Sequence, residues 1–331
     1  MLGSTKRPLT EVHDGAGLDR DGVVYVGADA VPGAAEALNA AQSGGMHLAF
    51  VTNNAARPPE EIGQHLRELG VEAHDEDVVT SSQAAARLLS RQLDPGSRVF
   101  VIGGPGLEQA LKERGLEPVF EPSDDVAAVA HGYGPDMPWK RVVQGAILVR
   151  SGITWVASNT DMTIPTATGV GPGNGSLVRL VAEFSGREPQ VAGKPEAPLF
   201  EETIARVGGE HPLMVGDRLD TDIEGAVAMG WDSLLVLTGV TGLDELVRAT
   251  HDERPTYIAR DLGALAQTQP ALEAGDDVTL GGWRARVLDG RLEVDGDGEP
   301  DDWWRVAAVA AWRHLDDTGQ PVDTDGATPP E

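Results

Sequence analysis

The feature that most narrows the fold of this chain is a repeating rhythm of apolar run, polar loop and helical pattern. Residues 46–51 (MHLAFV) form an apolar run that enters Thr52-Asn53-Asn54, as a buried strand ending in a polar loop does. Pro58-Pro59-Glu60 then opens a helical pattern that reaches Leu69 and stops at Gly70, with proline near the first helical position and glycine beyond the last. The rhythm recurs as strand 78–80 with helix 81–93, and as strand 98–102, the loop Gly103-Gly104-Pro105-Gly106 and helix 107–114. It returns as strand 212–215, helix 222–229 and strand 233–237. Between them lie apolar segments at 145–149 and 154–157, helical patterns at 177–184 and 198–207, and a loop at 158–175 rich in Gly, Pro and Thr. Repeats of this kind build parallel sheets covered by helices, so the expected class is α/β with a Rossmann-like parallel sheet.

Composition sets the boundaries. A chain of 331 residues suggests about two domains, and 40% apolar with 24% charged residues is the balance of a globular protein. The 53 acidic residues outnumber the 26 basic ones, for a formal charge of -27. Such a surface repels nucleic-acid phosphates and anionic lipid heads, so neither is an expected partner. It also repels small phosphorylated molecules unless a site supplies its own cations. The absence of cysteine removes disulfides, thiolate nucleophiles, thiolate zinc sites and iron–sulfur centres. The first fifteen residues lack the apolar core of an export signal, and no stretch approaches the ~20 apolar residues of a membrane span. A cytoplasmic location is therefore expected.

Four loops carry the candidate chemistry. In Gly17-Leu18-Asp19-Arg20-Asp21-Gly22-Val23-Val24, two carboxylates two residues apart at a strand end point to one side, at the carboxyl edge where open α/β sheets bind ligands. Alone, Asp-x-Asp-Gly is more often a surface turn. Thr52-Asn53-Asn54 follows a strand 33 residues after Asp19. Lys194, one of four lysines, sits in Val191-Ala192-Gly193-Lys194-Pro195-Glu196 at a helix start, where a cation opposes the helix dipole and suggests an anion nearby. Gly216-Asp217-Arg218-Leu219-Asp220-Thr221-Asp222 puts further acids between a strand and a helix, where a plain N-cap would use the same residues.

Taken in order, the acid pair, the hydroxyl-amide loop, the lysine and the second acidic loop resemble the four motifs of the haloacid dehalogenase superfamily, over about residues 10–265. The resemblance implies a Mg²⁺-dependent phosphomonoesterase. Asp19 would attack phosphorus to form an aspartyl-phosphate, and Asp21 would serve as acid, then base. Mg²⁺ would be held by Asp19, the Asp21 carbonyl and Asp217. Thr52, Asn53, Asn54 and Lys194 would bind the phosphate. Asp222 would orient Lys194 or a metal-bound water, with Asp220 ranked below it. Arg20 departs from the pattern, because an apolar residue usually stands between the two acids. Either it points into a polar patch or it weakens a strand, 13–18, that already reads as poor for a sheet centre.

Only 30 residues separate Asp21 from Thr52, whereas 139 lie between Asn54 and Lys194, room for an inserted α/β domain. That spacing, with Asn159-Thr160-Asp161 and Gly171-Pro172-Gly173-Asn174-Gly175, resembles subfamily IIA, the nitrophenylphosphatase and phosphoglycolate phosphatase branch with a C2-type cap. The implied organisation is a catalytic core at 1–82 plus 191–267 and a cap at 83–190. Within the branch, the chain resembles the actinobacterial glycerol-3-phosphate phosphatases, which share a C-terminal extension. This implies glycerol 3-phosphate as substrate, in glycerophospholipid recycling. A phosphatase for 2-phosphoglycolate, pyridoxal phosphate or a nucleotide, or a non-catalytic phosphometabolite binder, stays open. Caps of this branch often pair, so a homodimer is also possible.

Beyond residue 267 the texture changes. Residues 283–287 and 291–294, joined through Asp289-Gly290, read as a hairpin, and 301–315 as an amphipathic helix bearing Trp303, Trp304 and Trp312. The span 271–315 is expected to be a small structural α+β extension, and the acidic residues 316–331 a disordered tail. Two further motifs carry little: Gly103–Gly106 lacks the spacing of a dinucleotide loop, and Asp295–Pro300 has proline where a calcium loop needs glycine.

Overall fold

The computed structural model describes residues 2–27, 29–166 and 169–330. The chain divides into two compact units, residues 1–48 with 208–331, and residues 49–207. In the first, Gly15–Leu18, Pro212–Gly216, Asp232–Val236 and Tyr257–Ala259 are parallel neighbours, in register at Leu18 with Val215, Gly216 with Leu235 and Val236 with Ala259. All four residues of Gly15–Leu18 are buried. The segment that looked poor for a sheet centre is nonetheless a strand with its Ala16 and Leu18 fully covered; ladder bonds to the apolar strand Pro212–Gly216 supply what its own composition lacks. On its other side the N–H of His47, the first residue of strand His47–Thr52, donates to the Asp14 carbonyl at 3.1 Å.

The C-terminal extension belongs to this unit. Its strands Glu273–Ala274, Val278–Leu280, Trp283–Leu288 and Arg291–Gly296 form an antiparallel sheet in chain order. Asp289 and Gly290 turn the expected hairpin with φ of 49° and 79°, the left-handed pair that a two-residue turn requires. Helix Pro300–Thr318 packs on this sheet, and Trp303, Val306 and Trp312 join Leu219, Leu235, Leu246 and Ile258 in one apolar core. Polar contacts tie the same surfaces: Trp312 Nε1 donates to the Leu246 carbonyl at 2.7 Å and Arg305 Nε to that of Ile258 at 3.0 Å. The extension is thus part of a shared core.

Its tail departs from expectation. The helix runs on to Thr318, Val322 is 3% exposed, and Asp323 exchanges backbone hydrogen bonds with Gly290 and Leu292 at 2.8 and 2.9 Å. The acidic composition suggested disorder, but a buried valine, a short strand-like pairing and the Thr324 hydroxyl donating to Asp244 at 2.6 Å tie the segment down.

In the second unit, Val78–Thr80 pairs in parallel with residues 50–52. A five-stranded parallel sheet follows, ordered Gln190–Val191, Thr154–Ala157, Val126–His131, Arg98–Ile102, Glu117–Val119. Helices cover both faces. Val99 and Val101 face Ala85, Leu89 and Leu107; the alternate residues Phe100 and Ile102 face Val142, Ala146 and Val178. Residues 145–149 lie within helix Trp139–Arg150, a short apolar run that periodicity alone does not assign. The loop 158–175 holds an antiparallel hairpin, Thr163–Thr166 with Gly169–Pro172, which its Gly and Pro content concealed.

Two outcomes follow. Trp303→Ala empties the centre of the shared core and is expected to destabilise the first unit by about 3–5 kcal/mol in urea unfolding. His131 ends its strand fully buried and stacked 6.2 Å from Trp155; neither ring nitrogen has a hydrogen bond among the described residues. Burial pushes its pKa down to about 3, so between that value and its ordinary ~6.5 only the unfolded chain takes up the proton. Its contribution is complete above pH ~6.5 and shrinks as the pH falls, by up to ~1.4 kcal/mol per unit. His131→Gln should flatten that slope in acid denaturation; an unchanged slope would refute the assignment.

Candidate active site

Asp19 stands one residue past strand Gly15–Leu18, its N–H donating to the Val215 carbonyl at 2.8 Å. The chain then turns. The Arg20 carbonyl accepts the N–H groups of Val24 and Tyr25 at 2.9 and 3.2 Å, and Gly22, at φ 85°, donates to the Tyr25 carbonyl at 2.8 Å. The acid pair therefore sits on a tight loop rather than on a straight strand end. Arg20 is buried, its guanidinium 3.8 Å from the Asp21 carboxylate and 5.9 Å from the Tyr25 ring centre. It adopts the polar-patch alternative. Asp21 keeps 60% of its side chain exposed.

Asp217 follows strand Pro212–Gly216 and is 1% exposed. Its carboxylate accepts the Val240 N–H at 2.7 Å, and its carbonyl accepts the Thr241 hydroxyl at 2.6 Å. A Cβ at Gly22 or at Gly239 would collide with that carboxylate, so both loops approach it as only glycine allows. After Arg218, Leu219–Ile223 make a π-helical turn, a distortion common at functional sites, ahead of helix Glu224–Met229. Asp222, fully buried, accepts the Arg218 N–H at 3.2 Å, and a Cβ at Gly216 would strike its side chain. Asp220 points elsewhere, exposed and paired with Arg218 at 2.7 Å.

Asp19, Asp217 and Asp222 each offer a carboxylate oxygen within 4.8 Å of the others. Two of the three are buried, and like charges so placed repel strongly in a low-dielectric setting. Oxygen-only donors of this kind fit a hard divalent cation such as Mg²⁺ or Ca²⁺.

The other expected residues gather within the second unit. Thr52, 3% exposed, ends its strand, and its hydroxyl accepts the Asn54 N–H at 3.0 Å. Asn54 in turn accepts the Ala56 N–H at 2.9 Å, shaping the loop. The Asn53 side chain grips the lysine loop from both ends. It accepts the Lys194 N–H at 2.8 Å, donates to the Lys194 carbonyl at 3.1 Å, and donates to Asp161 at 3.1 Å. Ser81 and Asn159 both donate to the Asn53 carbonyl at 2.6 Å, and Asn174 donates to the Asn159 carbonyl at 2.7 Å. Lys194 is thereby held 3% exposed. Ser81, Asn159, Asp161 and Asn174 were not assigned roles from sequence. Their partners lie up to 108 positions away, and the only signals were the segments Asn159-Thr160-Asp161 and 171–175, with none for Ser81.

Such a fold, with carboxylates crowded at strand ends and a buried lysine on its own clamp, is that of an α/β enzyme suited to phosphoryl groups. Residues 17–117 match the haloacid dehalogenase-like hydrolases and residues 191–265 the HAD-hydrolase-like family; the chain belongs to the haloacid dehalogenase-like hydrolases and is a phosphatase. It is 42% identical to the D-glycerol 3-phosphate phosphatase of Mycobacterium tuberculosis over 296 residues, 89% of this chain and 82% of that one. The crystal structure of the M. tuberculosis glycerol phosphate phosphatase with magnesium superposes with a TM-score of 0.83 at 41% identity, covering 93% of this chain and 92% of the other. The p-nitrophenyl phosphatase of Archaeoglobus fulgidus superposes at 0.71 and 28% identity, covering 77% and 98%. No helix among the described residues is long and apolar enough to cross a membrane.

Gly239→Ala would displace the Asp217 carboxylate. Mg²⁺ binding is expected to weaken about 10–100-fold in calorimetric titration, while the urea midpoint moves little.

Proposed function

We propose that this chain hydrolyses glycerol 3-phosphate to glycerol and inorganic phosphate. The observation that carries the reading is the Asp19, Asp217 and Asp222 cluster, each with an oxygen within 4.8 Å of the others, and the substrate follows from the 42% identity to the mycobacterial enzyme. Asp19, the Asp21 carbonyl and Asp217 would hold Mg²⁺, with Asp222 beside them. When bound, the ion would offset phosphate charge and align the phosphoryl group with Asp19.

The chain's own residues divide the remaining work. An Asp19 carboxylate oxygen attacks phosphorus as the bond from phosphorus to the glycerol oxygen breaks, and Asp21 gives its proton to the departing alkoxide. Asp21 then takes a proton from water, whose oxygen attacks the aspartyl-phosphate, releasing phosphate and restoring Asp19. The exposure of the Asp21 side chain suits a group that must exchange protons with substrate and water. Lys194 neutralises charge on the phosphoryl oxygens, while Thr52, the Asn53 backbone and Asn54 frame the same group. In this reading residues 1–82 with 191–267 are the catalytic core and 83–190 a cap that excludes water and selects the leaving alcohol. A cytoplasmic homodimer completes the proposal.

Phosphate release should be measured with Mg²⁺ on glycerol 3-phosphate, 2-phosphoglycolate, pyridoxal phosphate and a nucleoside monophosphate. The expected result is preference for glycerol 3-phosphate, abolished by EDTA, with kcat in Asp19→Asn reduced roughly 10⁴-fold or more. Preference for another ester would overturn the substrate, and retained turnover in Asp19→Asn would overturn the mechanism.

A further inference from the structure

An open cleft of about 400 Å³ in the second unit is lined by Arg87, Arg91, Arg114 and Arg206 around Glu202. Arg87 and Arg91 come from the end of helix Ser81–Ser90, Arg114 caps helix Pro105–Glu113, and Arg206 and Glu202 lie on helix Ala197–Val207. These guanidiniums sit at or near helix C-termini, which favour cations. That placement, together with a pairing to Glu202, is the plain reason for some of them to be there.

The charge balance does not close on that reason. The Glu202 carboxylate, 2% exposed, takes hydrogen bonds from three guanidiniums at once: Arg87 at 3.0 Å, Arg114 at 2.8 and 3.0 Å, and Arg206 at 3.0 Å. A carboxylate has about four acceptor sites, so these four bonds leave it none to spare. Glu201 pairs with Arg91 at 2.7 Å and offers Arg87 its backbone carbonyl at 3.0 Å. Four positive charges thus face two negative ones, in a chain whose overall charge is -27. Among the described residues, Nε and Nη1 of Arg114, 38% exposed, and Nε and Nη2 of Arg87, 20% exposed, make no hydrogen bond. A purely structural clamp would need fewer cations, and the unbonded donors belong to residues that line the open cleft.

We propose that this cleft is a second anion site, sharing no residue with the catalytic set, which takes a tetrahedral dianion: phosphate, sulfate or the phosphoryl end of a metabolite. Planar guanidinium forks match the oxygens of such a group two at a time. A bound dianion would balance the surplus charge and tie together the three helices that supply the arginines, so it stabilises the second unit by binding only the folded chain.

Calorimetric titration of the full chain without divalent metal, at low ionic strength and into the millimolar range, tests this with sulfate and inorganic phosphate. Glycerol 3-phosphate is titrated on the Asp19→Asn background, where nothing is hydrolysed. Arg91→Gln and Arg114→Gln are each expected to weaken binding about tenfold and to leave kcat unchanged. Glu201→Gln, which frees Arg91, is expected to strengthen binding a few-fold, a gain that a poorly folded variant cannot imitate. Affinities that all three substitutions leave unchanged, or no binding by any of the three anions, would overturn the site. Tighter binding of the free ions points to inorganic phosphate or sulfate as the natural occupant, and tighter binding of the ester to a phosphorylated metabolite.

Discussion

Three carboxylates held close together, two of them out of reach of water, are the constraint around which the first unit is organised. Nothing in such an arrangement is stable by itself, because each charge raises the cost of the next. The backbone bears that cost in part. Asp217 is fixed by the Val240 N–H and Asp222 by the Arg218 N–H, and three glycines at 22, 216 and 239 leave the space that these side chains fill. The sheet sets the distances, since Asp19 and Asp217 follow strands that are direct parallel neighbours.

The lysine is held by a different device. The second unit uses neutral amides, with Asn53, Asn159 and Asn174 linked through one another's carbonyls, to position a charged residue by its backbone. Asn53 is accordingly a positioning residue through its side chain, whereas the resemblance implied only a phosphate contact. The substitution to aspartate would keep the acceptor for the Lys194 N–H but lose both amide donors.

What was legible in the chain was local. Asp19, Thr52, Lys194 and Asp217 each sit in a short motif with a strand before it, and strands such as 78–80 and 98–102 were marked by apolar runs bounded by turn residues. Long-range partners were not legible. Asn53 and Lys194 are 141 positions apart, and a hydrogen bond leaves no periodicity to read. Composition misled in two places. Glycine and proline hid the hairpin in 158–175, and acidic residues hid the order of the tail, which Val322, Asp323 and Thr324 tie to the rest of the unit. Arg20 looked like a fault in the first motif until the loop folding back on its carbonyl gave it a buried place beside Tyr25.

The first unit is assembled from the two ends of the chain, residues 1–48 and 208–331, and its apolar core draws on Trp303 and Trp312. During synthesis, which runs at about 5–20 residues per second, residues 49–207 can complete their sheet while the rest is still being made. Strand Gly15–Leu18 has to wait for Pro212–Gly216 to emerge, and the core beneath Asp217 for the final helix. The Asp19, Asp217 and Asp222 carboxylates are thus brought together last, so a truncated chain released early leaves Asp19 without its neighbours.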